Sequence, residues 1–343
     1  MKIGSIKISK DYPPLIIPEI GINHNGKIDV ACKIVLSAKR AGAKIIKNQT
    51  HIANDEYSVE AKKIVPDNSK RNIFDLVKSC QLSIEDEFKL KKYTESLGME
   101  YLSTPFSRQA VDRLIKLNIK AIKIGSGECN NYPLIKYICK FRKPIILSTG
   151  MCNISEISKT VNILKKNKII FALNHCTNIY PADYAHARLN FIHTLKKKFP
   201  NNPIGLSDHS RDNLIALASI PMGVNMIERH YVDHKKRGGP DVSSSMNFRE
   251  LKDLILKSQS IFSALKDKKE ILIKEKSVAK FAFASVVSVK NIAKGEKLDY
   301  KNIWVKRPGT GHFLAKDYEK LIGKKAKNNI CTNTQIKKSD VIN

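Results

Sequence analysis

Eight short apolar segments alternate with amphipathic segments between about residue 15 and residue 265, and this alternation constrains the fold more than any other feature. Between most of the apolar segments, apolar residues recur at helical spacing, as in Val30, Ile34, Val35 and Ala38. Eight strands alternating with helices over about 250 residues predict a (β/α)₈ barrel. The predicted strands are Leu15–Ile22, Ala43–Lys47, Glu100–Ser103, Ala121–Ile124, Pro144–Leu147, Ile170–Asn174, Ile204–Ser207 and Met226–His230.

The main rival fold is an open, doubly wound parallel sheet, which has the same order of strands and helices. A glycine-rich phosphate-binding loop directly after the first strand would favour that fold. The segment at this position, Gly21–Gly26 (GINHNG), lacks that glycine pattern. The sequence therefore favours the closed barrel.

The pattern changes after residue 266, which we take as the end of the barrel domain, 1–266. Residues 267–280 are rich in charge and predict a linker with some helical character. The remaining residues, 281–343, predict a small β-rich module. They contain a strand-like segment at Phe281–Val289 and a Pro/Gly-rich loop, RPGTG, at 307–311.

The composition excludes a disordered chain and a chain that spans a membrane. Hydrophobic residues make up 42% of the sequence, enough for a sizeable core. The longest apolar stretch, Leu214–Ile227, is too short for a transmembrane helix and is interrupted by Pro221 and Asn225. The N-terminus lacks the apolar core of a signal peptide, and the seven cysteines include no CxxC pair. We therefore expect a cytoplasmic protein with reduced cysteines.

The net charge of +29 arises from 61 Lys and Arg residues against 32 Asp and Glu residues. The longest basic runs, such as Lys196–Lys198 and Lys235–Arg237, are short, and basic residues are spread along the whole chain. Proteins that read nucleic acids cluster their basic residues and rely on arginine for base contacts. We therefore expect a solvated surface with no nucleic-acid or membrane partner, whose field attracts small anionic substrates.

Nearly every predicted strand ends in polar residues that a buried strand does not need. In a barrel these ends meet at the C-terminal mouth, where active sites are built. Helix capping does not explain the set, because Lys, Gln and His are poor N-caps. The sequence therefore predicts an active site at the mouth. The residues concerned are Glu19, Asn23, His24, Lys47, Gln49, Thr50, Ser103, Thr104, Lys123, Ser126, Glu128, Ser148, Thr149, His175, Thr177, Ser207, Asp208, His209, Glu228 and His230.

Lys47 and Lys123 follow or interrupt apolar strand residues, and Ser126 and Ser148 lie close to other strand ends. Two ammonium groups with hydroxyl donors form a receptor for a compact anion such as a phosphate or a carboxylate. The alternative is two surface lysines in a lysine-rich protein. Because a buried lysine without a counter-ion is costly, we expect an anionic ligand.

His209 and His230 end the last two predicted strands and would form a divalent metal site if the barrel brings them together. Two protein ligands would leave coordination positions for water and substrate. The pair has no local spacing motif, so the pattern alone favours a structural role. The other candidate histidines are His24, His51, His175 and His234.

An ordered set of motifs resembles the sialic acid synthases, and more narrowly the bacterial N-acetylneuraminate synthases. The resemblance implies a barrel followed by a small antifreeze-like (SAF) domain, in a domain-swapped homodimer. It also implies condensation of phosphoenolpyruvate with N-acetylmannosamine, giving N-acetylneuraminate and phosphate, with a divalent metal, Mn²⁺ in the first place and Mg²⁺ or Co²⁺ as alternatives. The motifs are PEIGINHNG (18–26), KNQT (47–50), STPF (103–106), KIGSGE (123–128), ILSTGM (146–151), HCTNIYP (175–181), GLSDH (205–209), ERH (228–230), GPD (239–241) and KRPGTG (306–311).

The resemblance also implies a role for individual residues. Glu19 would handle a proton, and His209 and His230 would be catalytic through the metal that they bind. Arg307 of the SAF domain would reach the amino sugar in the partner subunit's barrel. The implied phosphoenolpyruvate ligands are Lys47, Thr104, Lys123, Ser126, Ser148, Asn178 and Ser207, and the implied sugar ligands are Gln49, Tyr180, Asp241 and Arg307.

Two alternatives stay open. A sister synthase would make legionaminate or pseudaminate from a different acetamido sugar, although the string at 128–136 (ECNNYPLIK) favours N-acetylneuraminate. A non-catalytic basic protein that binds nucleic acid or acidic glycans is an alternative of a different class. That alternative leaves the polar strand ends without a purpose.

Overall fold

The computed structural model describes residues 1–66, 69–265 and 269–342, in two compact units, Met1–Lys266 and Asp267–Asn343. In the first unit eight parallel strands close into a barrel, and the last strand pairs with the first. The (β/α)₈ prediction is confirmed, and each of the eight barrel strands overlaps a predicted one. The strands are β1 (Leu15–Gly21), β2 (Ile45–Thr50), β3 (Glu100–Pro105), β4 (Ile122–Ile124), β5 (Ile145–Ser148), β6 (Phe171–Cys176), β7 (Ile204–Asp208) and β8 (Met226–His230).

Helices surround the barrel, and most of them bury one apolar face against it. Residues of Ala53–Glu56 and Ile73–Cys80 instead pack together in a separate small cluster. Ala31, Ile34, Val35 and Ala38 form the buried face of the first helix. Asparagine and serine side chains begin several helices by accepting backbone N–H bonds of the first turn, as Asn153 does. The α-helices of the first unit are Ile28–Arg40, Ala53–Glu56, Ile73–Cys80, Ile84–Ser96, Arg108–Lys116, Tyr132–Cys139, Ile154–Lys166, Phe191–Lys198, Leu214–Ser219 and Phe248–Ala264.

The barrel interior changes from apolar to polar along the strands. Its lower layer is one apolar cluster, capped by Ile3 and Ile8 near a short N-terminal hairpin. Because alternate strand residues share a face, the residues two positions further along each strand lie above this layer. The apolar residues are Leu15, Ile17, Ile45, Leu102, Ala121, Ile146, Ala172 and Met226, and the residues above them are Glu19, Lys47, Thr104, Lys123, Ser148, Asn174 and Glu228.

The second unit is a small β-rich module, as the sequence predicts. Strand β9 (Ser285–Ser288) pairs with β10 (Ile303–Lys306), and β11 (Lys325–Ala326) pairs with β12 (Val341–Ile342), both antiparallel. Apolar side chains from the strands and loops form a separate core. Its fully buried members are Val286, Ile292, Leu298, Ile303, Leu321, Ala326 and Ile336.

The segment before β9 differs from its predicted form. A helix covers Ile273–Ala282, so Phe281 and Ala282 are helical rather than extended. The side chain of Glu275 accepts the backbone N–H of Leu272 and begins this helix, and the charged residues that suggested a linker are good helix formers. Asp267 and Lys268 of the predicted linker lie outside the described residues. In the described part of the chain, no helix combines the length and apolarity needed to cross a membrane.

Candidate active site

Two lysines and two glutamates form a buried ion-pair network in the polar layer of the barrel. Glu19 and Lys47 are register partners on β1 and β2, and their side chains form an ion pair. Glu228 on β8 bridges both lysines: its Oε1 lies 3.6 Å from Nζ of Lys47 and 3.1 Å from Nζ of Lys123 on β4. None of the four side chains is more than 5% exposed. The barrel therefore unites residues from four separate strands.

The network is charged, and each charge is balanced within it. Burial opposes the ammonium form of Lys47, but the carboxylates of Glu19 and Glu228 raise its pKa above the usual value. Burial opposes the ionised form of Glu228, but Lys123 and Lys47 lower its pKa to about 2. Neighbouring strands therefore supply counter-ions for both lysines, and the predicted anionic ligand is not needed to balance their charge.

Thr104 and Ser148 offer hydroxyl groups beside this network that have no partner. Oγ1 of Thr104 and Oγ of Ser148 are buried and form no hydrogen bond. By the alternation of strand residues, both lie in the same interior layer as the lysines. A buried hydroxyl without a partner costs free energy, so such atoms in a native structure indicate a place for a ligand or water.

Ser126, Gly150 and Asn178 meet at the mouth, on the loops after β4, β5 and β6. The backbone N–H of Gly150 donates to Oγ of Ser126 over 3.1 Å. A Cβ atom at residue 150 would lie 1.9 Å from Oδ1 of Asn178, so only glycine fits between them. Nδ2 of Asn178 donates to the hydroxyl of Tyr180 over 3.4 Å, and Oγ of Ser207 donates to Oε1 of Glu228 over 3.3 Å.

The rings of His209 and His230 lie together at the ends of β7 and β8, with centroids 5.4 Å apart. Tyr180 packs against both rings, at 4.1 Å from His209 and 5.9 Å from His230. Nδ1 of His209 donates to the carbonyl of Thr177 over 2.8 Å. The lone pair of the imidazole is therefore on Nε2. Burial lowers the pKa of both imidazoles, so both are neutral at neutral pH.

Asp241 adds a carboxylate to the histidine pair. Its Oδ2 lies 3.7 Å from Nδ1 of His230, an atom that is buried and has no hydrogen bond. Gly21 permits this approach: its φ is +51°, and a Cβ there would lie 3.1 Å from the Asp241 carboxylate and 3.3 Å from His230. Asp241 therefore lies beside the imidazoles as well as near the end of β1.

These donors fit a divalent cation. Neutral imidazoles with a carboxylate suit Mn²⁺ and similar ions. Nδ1 of His230 has no hydrogen-bond partner, so it can donate an electron pair to a metal ion. Across 1–66, 69–265 and 269–342, no three or more His, Cys, Asp and Glu side chains converge into a complete metal cage. The arrangement is that of an open site, in which His209 and His230 would be the protein ligands and other positions would be left to water and substrate.

The remaining predicted residues are divided between the two units. Gln49 lies on the interior face of β2, two residues after Lys47, and is half-buried. Arg307 is exposed and follows β10 in the second unit. Its predicted contact with the sugar in a partner subunit stays a prediction.

Two residues of the polar layer received no role from the sequence. The sequence places Glu228 only among the polar strand ends, although it bridges both lysines. Asn174 on β6 is fully buried, and neither atom of its side-chain amide has a partner. A simple signal finds both: each lies two residues after an apolar residue of the barrel's lower layer, Met226 or Ala172.

Comparison with known proteins decides the family. The model of the NeuB family matches residues 34–270, and the model of the SAF domain matches residues 283–342. The chain belongs to the NeuB family. The resemblance to the sialic acid synthases is thereby confirmed, as is the barrel followed by a SAF domain.

The relatives of this NeuB-family chain include several synthases. N,N'-diacetyllegionaminic acid synthase of Campylobacter jejuni is 37% identical over 325 residues, which cover 92% of this chain and 96% of that protein. Pseudaminic acid synthase of the same organism is 32% identical over 349 residues, 99% of each. The crystal structure of N-acetylneuraminic acid (sialic acid) synthetase from Leptospira borgpetersenii matches with a TM-score of 0.74 and 30% identity, over 81% of this chain and 94% of that one.

Proposed function

We propose that this NeuB-family protein condenses phosphoenolpyruvate with an acetamido sugar and water to give a nonulosonic acid and phosphate. The observation that carries the proposal is the polar layer itself. Two lysines and two partnerless hydroxyls lie in one buried layer, in a barrel whose mouth also holds a pair of neutral imidazoles. A phosphorylated carboxylic acid needs cationic and hydroxyl donors, and an aldehyde that must be made electrophilic needs a Lewis acid.

The lysines of the ion-pair network would bind phosphoenolpyruvate. Lys47 and Lys123 would donate to its phosphate and carboxylate, and Thr104 and Ser148 would supply the hydroxyl bonds that their side chains lack in the free protein. Glu19 and Glu228 raise the pKa of Lys47, and Glu228 holds Lys123 in an ion pair before the ligand arrives. The site is thus preorganised for the charge that develops on the leaving phosphate.

The bond changes follow from the substrates. The methylene carbon of phosphoenolpyruvate bonds to the aldehyde carbon of the open-chain sugar, water adds to the carbon that bears the phosphate, and phosphate leaves by C–O cleavage. Oε1 of Glu19 is buried and partnerless, so it can take the proton of the attacking water. A divalent ion bound by His209 and His230 would supply Lewis acidity to the sugar aldehyde.

The sugar is the finer part of the proposal. The sequence motifs favour N-acetylmannosamine, and hence N-acetylneuraminate as the product. The identity of 37% with N,N'-diacetyllegionaminic acid synthase favours a sugar with two acetamido groups as the second candidate. Both sugars present an acetamido group and an aldehyde, so they would share the phosphoenolpyruvate half of the site.

The test is phosphate release by the purified protein with phosphoenolpyruvate, Mn²⁺ and each acetamido sugar in turn. Release that depends on both substrates supports the proposal, and the sugar with the highest kcat/KM identifies the product. Two results would contradict the proposal. One is phosphate release in the absence of any sugar, and the other is no release with any of the acetamido sugars that lead to N-acetylneuraminate, legionaminate or pseudaminate. Oxygen-18 at the bridging position of phosphoenolpyruvate should leave with phosphate; label retained in the sugar would exclude C–O cleavage.

A domain-swapped homodimer is part of the proposal, in which Arg307 of one chain would contact the sugar in the barrel of its partner. Its planar guanidinium suits the hydroxyls or amide carbonyl of an amino sugar. Mixing Arg307→Ala with Lys123→Ala subunits under exchange conditions should restore part of the activity, since one hybrid site contains both wild-type residues. Demonstrated exchange without recovery would contradict the swap.

A further inference from the structure

A chain of three polar side chains fixes the position of Gln49, the residue assigned to the sugar. Nε2 of His51 lies 3.0 Å from Oε1 of Gln49, and Nδ1 of His51 lies 2.7 Å from Oε2 of Glu56. The side chains of His51 and Glu56 are only 5% and 7% exposed. Gln49 lies on β2, Glu56 ends the short helix Ala53–Glu56, and His51 lies in the turn between these elements, so the contacts are local.

The imidazole of His51 makes a stacking contact through its face as well as polar contacts through its two nitrogens. It stacks on the ring of Phe106, with centroids 4.5 Å apart and planes within 6°. With one edge on Glu56 and one face on Phe106, the ring has a single orientation. A fixed ring gives its second nitrogen a fixed direction, and that direction is toward Gln49.

The contact ties one end of the Gln49 amide to His51 and leaves the other end free. The terminal amide atom nearest His51 lies 3.0 Å from Nε2 of the ring, and the hydrogen bonds of the described residues include none to the other terminal atom. Gln49 is half-buried on the interior face of β2, beyond Lys47. A glutamine side chain has three rotatable bonds, so without His51 it would lose this preferred orientation.

We propose that His51, anchored by Glu56 and Phe106, is a positioning residue that orients the Gln49 amide for recognition of the acetamido sugar. The inference rests on the proposed function for the identity of the sugar site. The structural part of the inference, that His51 orders the Gln49 side chain, does not depend on any activity. The two parts therefore have separate tests.

The kinetic test is a double-mutant cycle between His51 and Gln49. His51→Phe keeps the stack on Phe106 and removes both hydrogen bonds. It should raise the sugar KM about three- to tenfold, the value of one hydrogen bond, and leave kcat and the phosphoenolpyruvate KM within about twofold. In a Gln49→Ala background the same substitution should have no further effect. Equal effects in both backgrounds would overturn the proposal.

The structural test uses the free protein. With glutamine side chains labelled with ¹⁵N, the Gln49 amide should be ordered in the parent protein and mobile on the nanosecond timescale in His51→Phe and in Glu56→Gln. His193→Phe, on an exposed helix position, is the matched control and should change nothing. An equally ordered Gln49 in His51→Phe would overturn the proposal even if the parent is active. A parent that is inactive with every sugar would contradict the proposed function, and this measurement would still decide whether His51 orders Gln49.

Discussion

The two units of the chain bury polar side chains in opposite ways. In the barrel, buried polar atoms without a hydrogen bond occur in the interior layer and at the mouth, as in Thr104, Ser148, Asn174 and His230. In the second unit, no described residue has such an atom, and the buried Ser288 bonds the carbonyl of Cys331. Buried polar groups that stabilise a fold form their hydrogen bonds within it, whereas these particular atoms of the interior layer and the mouth are available to a ligand.

The difference separates structural polarity from functional polarity. A satisfied side chain contributes to the free energy of unfolding, and its removal leaves another group without a partner. An unsatisfied side chain contributes little to stability or lowers it, and its removal affects only what binds there. Substitutions of the same type in the two units should therefore have opposite consequences.

The largest effect is expected from Lys123→Met in the barrel. The variant removes one of the two ammonium groups that would bind the phosphate, so activity should fall about 10²- to 10³-fold. It also leaves Glu228 with only Lys47, which lies at 3.6 Å, so the free energy of unfolding should fall by about 3 kcal/mol. Steady-state phosphate release and urea unfolding measure the two effects.

Adding Glu228→Gln to this variant separates the two effects. The double substitution removes the uncompensated charge, so stability should return toward the parent value while activity stays low. A double variant that regains activity would contradict the assignment of Lys123 to the anion, because its only role would then be to balance Glu228.

A metal-dependent effect is expected for His230→Ala. In the parent, Mn²⁺ should raise the melting temperature, since a ligand that binds only the folded state stabilises it. His230→Ala should abolish this shift together with the activity, and His193→Ala should retain both. Full Mn²⁺ stabilisation of the His230→Ala protein would show that the ion binds elsewhere.

A matched serine pair tests the comparison most plainly. Ser148→Ala removes a hydroxyl without a partner, so the free energy of unfolding should change by less than about 0.5 kcal/mol, while the phosphoenolpyruvate KM rises about tenfold. Ser288→Ala breaks the bond to Cys331 and the bond accepted from Thr334, so it should destabilise by about 1–3 kcal/mol with an unchanged KM. The opposite assignment of the two effects would refute the distinction.

The smallest effect concerns acid stability. Lys123 and Lys47 lower the pKa of Glu228 to about 2, against 4.5 for a free glutamate. A lowered pKa stabilises the folded state above the unfolded pKa, and this contribution is lost as the pH falls toward 2. The parent should therefore lose more stability than Glu228→Gln between about pH 5 and pH 2, as measured by urea unfolding at each pH. Equal losses would contradict a charged Glu228.

The partly exposed Glu296 of the second unit is the control for this comparison. Hydrogen bonds, chiefly to the backbone at Ala293, lower its pKa, but water screens it. Glu296→Gln should therefore leave the acid sensitivity close to that of the parent protein. A larger effect at Glu296 than at Glu228 would reverse the expected order of the two units.

Much of the barrel was predictable because its signals are local. Each strand is a short apolar run followed by polar residues, and the lysines at 47 and 123 interrupt such runs. The pairing of Lys123 with Glu228 was not predictable, because it depends on which strands face each other across a closed barrel rather than on spacing along the chain. The same limit applies to Asn174, whose orphaned amide appears only once β6 is placed in the barrel.

The second unit was predictable in type and less so in detail. Charge and turn residues indicated a linker and short strands, but the helix at Ile273–Ala282 competes with a strand signal that begins at Phe281. Alternating Phe and Ala residues suit either structure, and the capping contact to Glu275 favours the helix. The preferred sugar is not readable from either unit, since it depends on a few side-chain contacts at the mouth.

A crystal structure of the protein with phosphoenolpyruvate and Mn²⁺ is the most direct test of the polar layer as an anion site. The account predicts phosphate and carboxylate oxygens within hydrogen-bond distance of Lys47, Lys123 and Ser148, with the metal on His209 and His230. The account would be contradicted by phosphoenolpyruvate bound on the outer surface, with no contact to the Lys47–Glu228–Lys123 network.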